Sequence, residues 1–222
     1  MSEDDLNTGN LGTGHSSARS DSTKSGSSDS PIFLEQTIEG FLDDLSARES
    51  TPGGGPAAAI AIAMAAGLAS MAARFSDDQL PGASRIAETA DLLRTRVVSL
   101  AQEDARAYQE VLASFEASAK GDPATRRERI RSALSGAADI PLRITDAGAE
   151  VARLAEEVAR RGNGNLRGDA ITGALLAHAG AQACALLVRI NLHGVEDERI
   201  ARAQGLADIA ADAARRAQAG DA

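Results

Sequence analysis

An uncharged run of eighteen residues, from Pro56 to Ala73, limits the folds open to this 222-residue chain more than any other feature. The run is hydrophobic on nearly all sides of a helix and is rich in alanine, the best helix former. Because aromatic residues make up only 2% of the chain, the core has to be built from alanine, leucine, isoleucine and valine. Such a core favours closely packed helices, and the β-branched and aromatic runs that strands need are missing. The run therefore predicts a central, buried helix in an all-α protein.

Helical periodicity continues along the rest of the chain, and turn residues divide it into stretches. Six predicted helices result, which cover residues 32–47, 56–75, 83–118, 124–161, 169–192 and 195–219. The fourth contains Pro141, which removes one internal hydrogen bond, so we expect a kink there. The sequence thus predicts one domain over residues 31–222, an all-α bundle of about six helices with a kinked long helix.

The first thirty residues have a different composition from the rest of the chain. Residues 1–30 are rich in Ser, Gly, Asp and Thr and carry only two large aliphatic side chains, Leu6 and Leu11. Such a segment cannot bury enough apolar surface to offset the chain entropy lost on folding. We predict a disordered tail over residues 1–30, ahead of the helical domain.

Charge and cysteine content bear on the partners and the compartment. The formal net charge of −9 argues against a nucleic-acid partner, because binding to a polyphosphate needs a basic patch. The first ten residues lack the basic and apolar regions of a secretory signal, and the uncharged run is too rich in Ala and Gly to suggest more than a buried helix. The single cysteine, Cys184, lies in an apolar stretch and is expected to be a buried small residue. We expect a cytoplasmic protein without a membrane or nucleic-acid partner.

The histidines do not form a recognisable metal site. His15 lies in the predicted tail, and His178 and His193 are fifteen residues apart, unlike the i, i+4 pair that places two ligands on one helix face. Neither is accompanied by a cluster of cysteines. The sequence predicts no metal, and no nucleophile-elbow pattern indicates a serine hydrolase.

Three motifs follow one another along the predicted helices. The first is a turn before the alanine-rich helix, formed by Thr51, Pro52, Gly53, Gly54 and Gly55. The second is Gln-Glu-Asp-Ala-Arg-Ala-Tyr at 102–108, in a long helix followed by the proline-kinked one. The third is Gly-Asn-Gly-Asn at 162–165 with Asp169, followed by Val-Arg-Ile-Asn-Leu at 188–192. In order and spacing, these motifs resemble the formiminotetrahydrofolate cyclodeaminase and methenyltetrahydrofolate cyclohydrolase family.

The resemblance implies a homodimeric enzyme that acts on a tetrahydrofolate one-carbon adduct, without a metal or a tightly bound cofactor. In the cyclodeaminase reaction on formimino-tetrahydrofolate, ammonia leaves as N10 attacks; in the cyclohydrolase reaction, water adds to the amidinium carbon of methenyl-tetrahydrofolate. Both reactions pass through a tetrahedral carbon and need proton transfer. A cyclohydrolase is favoured because the sequence carries no formiminotransferase region. The flat, alanine-rich second and fifth predicted helices independently favour a homodimer.

Candidate site residues follow from the same resemblance. Asp169 and Asp104 are the candidates for proton transfer. The glycine loop lets a ligand approach the backbone, and its amides at a helix start favour an anionic or carbonyl oxygen. The residues expected to bind the substrate are Thr51, Pro52, Gly53, Gly54, Gly55, Asn165 and Asn191.

Each candidate also has a purely structural explanation. Asp169 follows a Gly-Asn loop and would serve as a helix N-cap. Asp104 lies among polar neighbours on a long helix, where most acidic residues are solvated. The glycine loop could be an ordinary turn between helices, although three successive glycines cost more entropy than a turn requires. Asn191 is unfavourable in a helix interior, which indicates a buried hydrogen bond, a ligand contact or a helix end.

Four departures from the family pattern motivate other functions. Pro56 replaces a usual Ser, Gly168 replaces a Ser before Asp169, and Leu187 stands where Asn is common. The lysine-containing turn of the family reads Ser-Asp-Asp-Gln-Leu here, at residues 76–80. One alternative is a diverged enzyme acting on a non-folate imine, amidine or amine. Another is a non-catalytic ligand-binding or scaffold protein on the same fold.

We expect the glycine loop, Asp169 and Asn191 to converge on one pocket, with Asp104 on a facing helix. Asp169 and Asn191 are 22 residues apart on one predicted helix, which separates them by about 33 Å. They can share a site only if the ligand is elongated or if a second subunit completes the pocket. Antiparallel packing in a dimer is the favoured arrangement.

Overall fold

The computed structural model describes residues 33–117 and 122–219, which form seven α-helices, two 3₁₀ turns and no strand. The prediction of an all-α bundle is confirmed, while the predicted tail over residues 1–30 lies outside the described residues. The helices are α1 Ile38–Ser46, α2 Gly54–Arg74, α3 Ala83–Ala117, α4 Pro123–Ala137, α5 Asp139–Arg161, α6 Arg167–Asn191 and α7 Glu198–Gln218.

The expected bend in the long fourth stretch is present, at the junction of α4 and α5. The two helices meet at Ala138, whose φ of −71° and ψ of −20° remain helical. Pro141 is the third residue of α5. In this first turn the missing proline N–H costs nothing, because the N–H groups there have no partner within the helix. The bend therefore lies three residues before the proline.

Helices α2 and α6 pack against each other in antiparallel directions at the centre of the bundle. A Cβ on Gly180 would lie 2.6 Å from Ile62 Cγ1 and 2.9 Å from the Ala58 carbonyl oxygen. A Cβ on Gly173 would lie 3.1 Å from the Ala65 carbonyl oxygen. Because later residues of α6 meet earlier residues of α2, the start of α2 lies beside the end of α6.

Two segments are long and apolar enough, by length and composition, to cross a membrane: α2 and the residues from Gly164 to Asn191. Within the bundle, 61% of the apolar window of α2 and 44% of the second window are buried. Contacts with α3 and α5, and of the two helices with each other, cover much of this surface. Packing inside the bundle thus explains much of the apolar character of these two segments.

Alanine supplies most of the core, as the sequence predicts. The buried alanines of α2 and α6 allow the helices to approach, and larger aliphatic side chains such as Ile62, Leu100 and Ile144 fill the space between them. Cys184 is fully buried in the same cluster, which confirms its interpretation as a small core residue.

Candidate functional site

A cavity of about 270 Å³ opens where the start of α2 meets the end of α6. The loop before α2 forms one wall, α3 supplies Asp104 and Tyr108, and the last turn of α6 supplies Leu187, Ile190 and Asn191. Ala137, at the end of α4, completes the lining. The cavity is therefore built from four separate parts of the chain, three of which carry predicted site residues.

Asp104 is the acidic group of this cavity. Its carboxylate forms no hydrogen bond or ion pair within the described residues, and it lies directly against the backbone of Gly55. A Cβ at position 55 would overlap Asp104 Oδ2 and lie 2.8 Å from Oδ1. Burial raises the pKa of Asp104 from 3.8 to about 6 because the charged form loses hydration without gaining a partner. The group can therefore accept and return a proton near neutral pH.

Free backbone amides lie beside this carboxylate. Helix α2 begins after Gly53, which provides no side-chain cap, and the Ala57 N–H makes the first helical bond, to the Gly53 carbonyl. The N–H groups of Gly54 and Gly55 consequently have no acceptor within the described residues. Pro56, the next residue, has no N–H to offer. Two unpaired amides at the positive end of a helix dipole favour an anionic or carbonyl oxygen in the cavity.

Asn191 is a further polar side chain that lines the cavity. It is the last residue of α6 and is half-buried. Its carboxamide forms no hydrogen bond within the described residues, so both its donor and its acceptor are available to a ligand. Thr51 also lines the cavity, whereas Pro52 is buried beneath the loop and does not.

Cys184 lies near enough to Asp104 for the two to interact electrostatically. Burial, and then the negative charge of Asp104, raise the pKa of the Cys184 thiol. The thiol thus remains protonated at neutral pH, in a position that is fully buried. Cys184 is thus a buried core residue near the carboxylate and lacks the thiolate that a nucleophile requires.

Asp169 lies at the other end of the bundle. The antiparallel packing of α2 and α6 sets Asp169 opposite α2 near Ser70, some 15 residues and roughly 22 Å along the helix from Gly54. Asp169 does not line the cavity. The prediction that Asp169 caps a helix is also wrong. Helix α6 begins at Arg167 with Leu166 at its N-cap, so Asp169 is the third helical residue.

The Gly-Asn-Gly-Asn motif connects two turns far from the cavity. The Asn163 N–H donates to Ser76 Oγ at 2.9 Å, and Asn163 Nδ2 donates to the Phe75 carbonyl at 3.0 Å. Asn163 Oδ1 in turn accepts from the Asn165 N–H at 3.0 Å. Asn165 itself is exposed and does not line the cavity. Within one chain the motif ties the connection between α5 and α6 to the turn after α2.

Tyr108 and the end of α4 belong to the site but are not among the candidates predicted from the sequence. Tyr108 follows Asp104 by four residues, and this spacing puts both on one face of α3. The four-residue spacing from Asp104 could therefore have predicted from sequence that Tyr108 faces the same site. No comparable pattern exists for Ala137, which reaches the cavity because of the bend at Ala138.

Residues 37–205 match the formiminotransferase-cyclodeaminase family. The chain belongs to this family. The match covers all three motifs and most of the helical bundle, so the resemblance inferred from them is confirmed.

Two relatives and one solved structure show how far the similarity extends. The methenyltetrahydrofolate cyclohydrolase of Methylorubrum extorquens AM1 is 35% identical over 184 residues, which cover 77% of this chain and 88% of that protein. The mouse formimidoyltransferase-cyclodeaminase is 27% identical over 75% of this chain, which spans only 32% of that longer protein. The crystal structure of formiminotetrahydrofolate cyclodeaminase from Thermotoga maritima superposes with a TM-score of 0.74 at 26% identity, covering 83% of this chain and 95% of that one.

Within the described ranges, no group of three or more His, Cys, Asp or Glu side chains is arranged to hold a metal ion. The prediction of a metal-independent reaction stays a prediction, and it rests on the acid and the amides described above.

Proposed function

We propose that this protein is a methenyltetrahydrofolate cyclohydrolase in which Asp104 transfers the proton. The observation that carries the proposal is an unpaired, partly buried carboxylate beside two unpaired amides in one cavity. Addition of water to an amidinium carbon needs a base near its pKa and a donor for the developing oxygen charge. The family membership supports a folate one-carbon adduct as the substrate.

The reaction follows from these groups. Water forms a C–O bond to the carbon between N5 and N10, and one of its protons passes to the Asp104 carboxylate. The new hydroxyl then loses its proton to solvent as the carbonyl forms, the C–N5 bond breaks, and N5 takes the proton held by Asp104. The product is the N10-formyl compound, and one proton is released per turnover. The amides of Gly54 and Gly55 stabilise the oxygen as it gains negative charge.

A cyclohydrolase is preferred to a cyclodeaminase because the relative with the higher identity, which the chain covers almost completely, carries the cyclohydrolase name. The cyclodeaminase of Thermotoga maritima is less similar in sequence. The same acid and amides would serve the deaminase, since ammonia also needs a proton as it leaves. Release of ammonia from formimino-tetrahydrofolate, without hydrolysis of the methenyl compound, would reverse this preference.

The direct test is the loss of methenyl-tetrahydrofolate absorbance, with the rate in buffer subtracted. We expect Asp104→Asn to lower kcat by about 100-fold or more, which is typical of removing a general base. Asp169→Asn is the matched comparison, since it makes the same chemical change at the far end of α6 and is expected to keep most of the activity. Full activity of Asp104→Asn would refute the role of Asp104, and loss of activity only in Asp169→Asn would transfer that role to Asp169.

A diverged activity on a non-folate imine, amidine or amine is the second candidate, and one observation favours it. Two of the four departures from the family pattern, Pro56 and Leu187, line the cavity itself. They make its wall more apolar and remove a backbone donor. If the protein neither binds nor converts folate adducts, this candidate gains support. Tight folate binding without turnover would instead support the non-catalytic alternative.

A homodimer is part of the proposal. Helix α2 carries a row of partly exposed apolar side chains at helical spacing, Ile60, Met64, Leu68 and Met71, of which Met64 is 54% exposed. Such a row is the kind of surface that a second copy covers. The acid and the amides proposed above come from one chain, so this dimer is not required to add a residue to the cavity. Sedimentation of the wild type against Met64→Glu at micromolar concentration tests the interface, and a monomeric wild type would refute it. Cytoplasmic location likewise stays a prediction.

A further inference from the structure

A second cavity, of about 510 Å³, adjoins the first at Asn191, which lines both. It lies between α4 and the connection from α6 to α7. Its charged or titratable lining residues are Arg127, Glu128, Arg131 and His193. The acid of the first cavity and the cations of the second therefore belong to neighbouring cavities that share Asn191.

The cationic character of α4 is unusual for this chain. The helix carries four arginines and one glutamate, whereas the whole protein has a formal net charge of −9. Arg131 Nη1 pairs with Glu128 Oε2 at 3.2 Å on the surface. Arg127 forms no ion pair within the described residues. Arg127 is thus an uncompensated cation that lines a cavity sharing Asn191 with the candidate active site.

We propose that this second cavity holds the anionic glutamyl tail of the folate substrate while the one-carbon bridge lies at Asp104. The inference rests on the proposed function. Helix α4 lines the first cavity at Ala137 and the second at Arg131, and these two positions are six residues apart, about 9 Å along the helix. The aminobenzoyl ring and amide that separate N10 from the glutamyl carboxylates cover a comparable distance. Asn191 lies between the two ends, where its carboxamide can bind that linking amide.

The placement predicts how the arginines act. The carboxylates of the glutamyl tail lie far from the reacting carbon, so their contacts with the protein stabilise the bound substrate and the transition state equally. Arg127 is expected to affect KM and leave kcat unchanged. Glu128 opposes the tail and neutralises Arg131, so its removal is expected to lower KM.

The test compares two substrates that differ only in the tail, methenyl-tetrahydrofolate and methenyl-tetrahydropteroate, which lacks the glutamate. We expect Arg127→Gln to raise the KM for the folate about fivefold and to leave the KM for the pteroate unchanged. Arg129→Gln is the matched control: it removes the same charge from the same helix at a position that does not line the cavity. Glu128→Gln should change the folate KM in the opposite direction.

Two results would overturn the inference: an equal rise in KM for both substrates in Arg127→Gln, or an equal effect of Arg129→Gln. The first would mean that Arg127 acts without the tail, and the second that only net charge matters. Measuring the equilibrium binding of methenyl-tetrahydrofolate and methenyl-tetrahydropteroate to both variants makes the same comparison without relying on turnover. A protein that hydrolyses neither ligand but binds the folate more tightly through Arg127 would refute the proposed function and support the tail site.

Discussion

The carboxylate of Asp104 on α3 rests against the backbone of Gly55 on α2, so closely that a Cβ at position 55 would lie 2.8 Å from Oδ1 and overlap Oδ2. The absence of a side chain at residue 55 is therefore what gives the acid its position. The same contact brings the acid beside the free amides at the start of α2. It also helps to shield the carboxylate from water, which raises its pKa to about 6.

Gly55→Ala is expected to displace the Asp104 carboxylate and to lower kcat for methenyl-tetrahydrofolate by about 100-fold, comparable to loss of the base. The backbone at this helical position accepts alanine, so the helix content should be kept. Gly205→Ala is the control, because a Cβ at that position in α7 meets nothing within 4 Å. Wild-type kinetics in Gly55→Ala would contradict the positioning role of Gly55, and circular dichroism would verify that both variants are folded.

The pH dependence of activity should follow the ionisation of Asp104. As a base it is active when deprotonated, so kcat/KM is expected to rise with pH and to level off above an apparent pKa of about 6. This rise of kcat/KM with pH should be absent from the residual activity of Asp104→Asn. Rates between pH 5 and 8, corrected for hydrolysis in buffer, check this. A fall in activity over the same range would assign the acid form as the active one.

The same carboxylate is expected to cost stability at neutral pH. Its pKa rises from the ordinary value of 3.8 to about 6 in the folded protein, so the folded state binds the proton more tightly, and stability falls as pH rises through this window. Between pH 4 and 7 the wild type should lose about 2 kcal/mol relative to Asp104→Asn, which stays neutral. Urea unfolding of both proteins at the two pH values measures the difference. A constant difference would mean that the carboxylate is well hydrated in the folded protein.

The approach of α2 and α6 depends on Gly180. Alanine there would place its Cβ 2.6 Å from Ile62 Cγ1 and 2.9 Å from the Ala58 carbonyl oxygen, so the helices would have to separate. We expect Gly180→Ala to destabilise the fold by about 1 to 3 kcal/mol. Gly205→Ala, in the open position on α7, should instead stabilise it by up to about 1 kcal/mol, because alanine has the higher helix propensity. Thermal unfolding of both variants gives the sign of each change in stability. Stabilisation by Gly180→Ala would show that the α2–α6 interface can adjust to the added methyl group.

Several features of this protein were determined by local sequence alone. Helical periodicity and the scarcity of aromatic residues predict the all-α bundle, and the uncharged run from Pro56 to Ala73 predicts a central helix. The order of the three motifs identifies the family. These inferences succeed because helix formation and motif spacing depend on neighbours a few residues apart. Even the bend in the long helix was expected, although it lies at Ala138 and not at Pro141.

Only the tertiary structure decided which of the predicted site residues meet. Asp104 and Asp169 were both candidates for proton transfer by sequence, yet antiparallel packing of α2 and α6 brings Asn191 to the glycine loop and leaves Asp169 at the far end of its helix. The pKa of Asp104 and the role of α4 as a second wall could not be predicted either. Both depend on burial and proximity between segments far apart in the chain, and a pattern of period 3.6 carries no information on which helices meet.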